Sequence, residues 1–156
     1  MQKALIATIT AAVLAIGVAS AQAKPNFSGD WKLNIEKSSF GQMPAPTSST
    51  EKITHNDPEL KVVTAQTGGF GDYTSEFNFT TDGKDCPNQL NDFKITSKLT
   101  WDGDTLLFDS KMDFQGNAMT GSEKWTLSPD GKTLTIARHI SGPMGEGDTT
   151  SILEKQ

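Results

Sequence analysis

The sequence predicts an all-β protein: an antiparallel up-and-down meander that closes into a lipocalin-like β-barrel of about 8–10 strands. Three observations lead there. Beyond residue 23, apolar residues recur at every second position, and no segment holds a 3.6-residue period for three turns. Turn-forming residues separate these runs at short intervals, as at Asp102-Gly103, Gln115-Gly116-Asn117 and Ser128-Pro129-Asp130-Gly131. Strands with one dry and one wet face must close on themselves to hide the dry face and remove open edges. Consecutive tight turns favour an up-and-down order over a Greek key.

Residues 1–23 read as an export signal. Lys3 supplies a positive start, Ala4 to Ala19 is an apolar run, and Ala21-Gln22-Ala23 is a small-residue cleavage site. A signal of this kind looks bacterial and implies a periplasmic or secreted protein. Residues 24–156, 156 − 23 = 133 in number, suffice for a single domain. With Lys3 removed, 13 basic and 19 acidic side chains give a net charge of −6. An acidic surface disfavours nucleic acid. No later stretch has the roughly 18 apolar residues of a membrane helix.

The alternation places about nine strands, at 29–38, 48–55, 60–67, 73–80, 93–101, 105–114, 118–127, 132–140 and 148–155. Trp31, Leu33 and Ile35 mark the first. Phe93, Ile95, Leu99 and Trp101 mark the fifth, and Leu106, Phe108, Met112 and Phe114 the sixth. Met119, Glu123, Trp125 and Leu127 mark the seventh, and Leu134, Ile136, Arg138 and Ile140 the eighth. Two connections are long: 39–47, with Pro44 and Pro46, and 83–92, with Cys86 and Pro87.

The expected inner face is aromatic: Trp31, Phe77, Phe79, Phe93, Trp101, Phe108, Phe114 and Trp125. Ser75, Ser97, Ser110, Gly121, Glu123 and Arg138 interrupt it. Each unpaired polar group in a filled core costs on the order of 1–3 kcal/mol, whereas a ligand cavity accommodates such groups. A turn at 128–131 sets Trp125 opposite Leu134 and Gly121 opposite Arg138, which makes Glu123 and Arg138 diagonal neighbours. They form either an internal ion pair or an anchor for a carboxylate ligand, since the guanidinium fork suits one.

Little else suggests chemistry. His55 and His139 stand alone, as surface histidines do, and no His or Cys pair has metal-ligand spacing. No nucleophile elbow is present, and the aspartates near Glu123 alternate to the outside, so neither catalytic residues nor a cofactor are expected. The single cysteine, Cys86, reads as a half-buried loop thiol. The glycine-rich loops around Phe70 and Met144 lack phosphate-loop residues and read as hairpin tips or a mobile rim at the barrel mouth.

Gly29-Asp30-Trp31 opens the first strand, and Phe27-Ser28-Gly29-Asp30-Trp31-Lys32-Leu33 resembles the start of a fatty-acid-binding protein. The whole chain is similar to the calycin group of lipocalins and fatty-acid-binding proteins. That resemblance implies that Trp31 plugs one end of the barrel and that a late basic residue, Arg138 or Lys155, lies across it. Between its first two strands this chain has only residues 39–47, too short and too proline-rich for a pair of lid helices. The expected function is an exported, non-enzymatic barrel binding a small hydrophobic or amphipathic molecule, with an acidic head as one option. The candidate ligand-binding residues are Arg138, Glu123, Trp101, Phe108, Trp125, Phe93 and Phe77. The alternative is an envelope structural or protein-interaction module with a filled barrel.

Overall fold

The computed structural model describes residues 23–143 and 145–156, with Phe114 described by its backbone alone. Nearly all of the expected export signal, and Met144 of the expected rim, thus lie outside the described residues. Ten strands run in chain order: β1 (Gly29–Leu33), β2 (Pro46–Asn56), β3 (Glu59–Gly68), β4 (Tyr73–Thr80), β5 (Asp85–Leu90), β6 (Phe93–Asp102), β7 (Thr105–Phe114), β8 (Asn117–Leu127), β9 (Thr133–Gly142) and β10 (Gly145–Lys155). They form one antiparallel meander in the order β4-β3-β2-β1-β10-β9-β8-β7-β6-β5. The first and last strands pair, so the sheet curls into a nearly closed barrel with β4 and β5 at the seam.

Side chains stitch that seam where the ladder lapses. The Asn78 N–H donates to Asn88 Oδ1 at 2.9 Å, and Asn88 Nδ2 donates back to the Asn78 carbonyl at 3.0 Å. One amide thereby reproduces a strand-pairing exchange. The Thr80 N–H points at Cys86 Sγ, 3.2 Å away. Cys86 is therefore a buried seam residue on a strand, not a half-buried loop thiol.

Three local expectations change. The first strand ends at Leu33 rather than running to residue 38, because Asn34 closes a turn: its Oδ1 accepts from the Lys37 N–H, and its carbonyl accepts from Ser38 Oγ. The 83–92 connection contains β5, an edge strand whose proline is tolerated because that strand pairs on one side only. The β8–β9 register moves by two residues. Leu127 pairs with Leu134, and Ser128 both donates to and accepts from Thr133, giving a wider loop than a turn at 128–131.

Burial divides the barrel into two halves. At one end Phe27, Trp31, Leu60, Leu99, Leu106, Leu134 and Leu153 are almost wholly buried. This end also carries the β2–β3, β6–β7 and β8–β9 connections and the start of the described chain. Toward the other end the inward-facing Phe77, Phe93, Ile95, Met112, Met119 and Ile140 stay partly exposed. The most deeply buried side chains thus gather at one end, and the inward apolar side chains at the other end keep contact with water.

Candidate functional site

The closed end is an aromatic stack. Phe27 lies parallel to His55 and Trp101, with ring centroids 5.6 and 5.9 Å away, and meets Trp125 edge-on at 5.7 Å. Trp31 Nε1 donates to the Phe27 carbonyl at 2.9 Å. Lys155 Nζ sits 5.3 Å from the centre of the Trp31 ring, so of the two expected basic partners the structure brings Lys155 to the tryptophan. Gly29 permits this approach: a Cβ there would stand 2.5 Å from Lys155 Cε.

His55 belongs to this closure and is buried, contrary to the surface placement expected for it. The Phe27 N–H donates to its Nδ1 at 3.3 Å, which fixes Nδ1 as an acceptor. Its Nε2 is buried without a hydrogen-bond partner among the described residues and lies 3.7 Å from Asp57 Oδ1. Burial holds the imidazole below its usual pKa, and Asp57 partly opposes that shift. His139, by contrast, lies on the outer face and meets Asp148 at 2.8 Å.

Next to the stack, toward the partly exposed end, lies a second aromatic pair with polar groups beside it. Phe108 and Trp125 are buried and stacked, with centroids 4.7 Å apart. Trp125 Nε1 donates to Glu123 Oε2 at 2.9 Å, and Arg138 Nε donates to Glu123 Oε1 at 2.8 Å. Glu123 and Arg138 sit directly opposite one another across β8 and β9, not diagonally, which follows from the shifted register. Their side chains are 20% and 43% exposed. That Arg138 accessibility lies on the barrel's inner face, and Glu123 is the largest influence raising its pKa.

Two further groups join them from the opposite wall. Glu51 on β2 faces inward, sharing the parity of Ile53 and His55. Burial pushes its carboxyl up to about 7, with Arg138 opposing the rise and Glu123 adding to it. Its Oε2 is shielded from solvent and has no hydrogen-bond partner among the described residues. Tyr73 on β4, its phenol raised chiefly by burial, also feels Arg138 and Glu51. Ser97 and Ser110 bond each other at 2.7 Å on the neighbouring strands.

The expected site residues therefore separate into groups. Arg138 and Glu123 form the polar centre, Phe108 and Trp125 the aromatic pair beside it, and Phe77 and Phe93 the partly exposed wall. Trp101 is on the closed side: Lys24 Nζ lies 5.0 Å over its ring, and its Nε1 donates to Asp57 at 3.3 Å. Glu51, Tyr73, His55 and Phe27 were not among the expected site residues. The parity of Ile53 points to Glu51 and His55, since both lie an even number of residues from it on the same strand.

Among the described residues no group of three or more His, Cys, Asp or Glu could hold a metal ion, and no helix is long and apolar enough to cross a membrane. No family model matches the chain, and no curated protein matches it in sequence. Solved structures do match in fold. The zebrafish ileal bile acid-binding protein complexed with cholic acid superposes with a TM-score of 0.58 at 13% identity, covering 83% of this chain and 98% of that one. A secretory abundant heat soluble protein from Ramazzottius varieornatus gives 0.56 at 14% identity, covering 83% and 94%. Fatty-acid-binding protein 1 of Echinococcus granulosus gives 0.53 at 13% identity, covering 83% and 96%. The chain has a calycin-like barrel fold.

Proposed function

We propose that this protein is an exported barrel that takes a small hydrophobic or amphipathic molecule against the partly exposed inward side chains at one end of its interior. One observation carries the proposal: inward-facing Phe77, Phe93, Ile95, Met112, Met119 and Ile140 remain partly exposed around a polar centre. Leaving that much inward apolar surface wet forgoes about 25 cal/mol per Å². A ligand recovers it, and the central polar groups fix its orientation. Two of the similar structures bear the names of a bile acid and a fatty acid, which agrees with such an occupant without identifying it. Export, to the periplasm or the medium, rests on the signal-like residues 1–23 and fits a carrier that meets its ligand outside the cytoplasm.

Titration with an environment-sensitive apolar dye, followed by displacement with decanol, tests the proposal. A saturable, one-to-one, displaceable signal is expected, with a change in emission from Trp125, which stacks on Phe108 beside the polar centre. A protein that leaves the dye unbound is instead an interaction module with no ligand.

A further inference from the structure

Building on that binding proposal, we infer that the polar end of the ligand is a cationic head group, such as an alkylammonium, held by Glu51. The central charges support this sign. Both oxygens of Glu123 are engaged, Oε1 by Arg138 and Oε2 by Trp125. Arg138 gives its Nε–H to that carboxylate, so its charge is already matched within the site. Glu51 is the carboxyl left over, with Oε2 shut away from water and unpartnered among the described residues. The titratable groups that act on it are Arg138 from β9, Glu123 from β8 and Tyr73 from β4. Its cross-strand neighbours, Thr64 on β3 and Trp31 on β1, carry no charge.

With Glu51 ionised, one guanidinium and two carboxylates sum to −1. A carboxylate ligand would take that sum to −2, whereas an ammonium brings it to zero. The raised Glu51 titration agrees, because the nearby Arg138 does not offset the effect of burial. The apolar chain of such a ligand would lie against Phe108, Trp125, Phe77 and Phe93.

Calorimetric titration of the purified protein with decylamine, decanol and decanoate tests this. At about pH 8 decylamine is expected to bind at least about tenfold more tightly than decanoate, with the gap narrowing toward pH 5.5 as Glu51 takes up a proton. Glu51→Gln is expected to abolish the preference of decylamine over decanoate. A second readout needs no variant. Near pH 7, decylamine binding measured in buffers of different ionisation enthalpy is expected to release a fraction of a proton as Glu51 ionises. Decanoate binding as tight as decylamine at pH 8, a preference that survives Glu51→Gln, or binding of decylamine without proton release would each overturn the inference. Decanol binding without an amine preference would sink the inference alone. Failure of all three compounds to bind would sink the binding proposal with it.

Discussion

Glu51 leaves water on folding, and its carboxyl rises from the usual 4.5 to about 7. Between those values the folded chain holds a proton that the unfolded chain releases. The stability contributed by the neutral form is complete below pH 4.5 and is lost as the pH climbs through 7, a swing on the order of 3 kcal/mol. Glu51→Gln is therefore expected to flatten the decline in melting temperature between about pH 5 and pH 8, which thermal unfolding across that range measures. Arg138→Met leaves two inward carboxyls without their cation. It is expected to destabilise the barrel by about 1–2 kcal/mol at pH 8, less than for a fully buried pair because Arg138 keeps water contact. Adding Glu123→Gln is expected to restore most of that loss in chemical denaturation. The Glu123–Arg138 proximity was legible in the alternation of β8 and β9. Glu51 was not, because β2 reads Ser48-Ser49-Thr50-Glu51-Lys52 with polar residues on both faces. Only the parity of Ile53 tells its two sides apart.

At the scale of elements, the segment before β1 acts as a stopper. Phe27 is wholly buried among His55, Trp101 and Trp125, so Phe27→Ala is expected to lower unfolding stability by about 3–5 kcal/mol. The same segment responds to acid. His55 is held below its usual pKa, so the stability tied to its neutral form is present above about 6.5 and is lost as the pH falls. Protonation of Nδ1 also abolishes the bond from the Phe27 N–H. Protection of the amides of residues 26–28 against hydrogen exchange is expected to be lost as the pH falls below 6.5 while the rest of the barrel stays protected, and His55→Gln is expected to remove that early step. The family resemblance drew attention to Trp31 but not to Phe27, which precedes the first strand and takes part in no alternation. β5 escaped notice for a similar reason. In Asp85-Cys86-Pro87-Asn88-Gln89-Leu90 the apolar signal is sparse, and proline argues against any strand except an edge. It is held to β4 by the Asn88 amide and by Cys86 Sγ, so Asn88→Ala is expected to cost on the order of 1 kcal/mol and to expose the Asn78 N–H to exchange.

At the scale of the whole molecule, the meander was legible because local turns and period-two alternation dictate it, and the pairing of β1 with β10 follows from the need to bury a continuous dry face. How far the core fills that barrel is not a local property. It depends on which inward residues meet across the lumen, and register errors of two residues, such as that at Leu127 and Leu134, alter those meetings. The result is a barrel stoppered by aromatics at one end and lined by half-exposed apolar side chains at the other, with Glu51, Glu123, Arg138 and Tyr73 between. Native mass spectrometry of the purified protein, before and after organic extraction, tests most directly whether the barrel holds a ligand. A carrier yields a one-to-one adduct that solvent removes and that decylamine replaces. A single unadducted mass, unchanged after incubation with amines, alcohols and fatty acids, would contradict a ligand-binding interior.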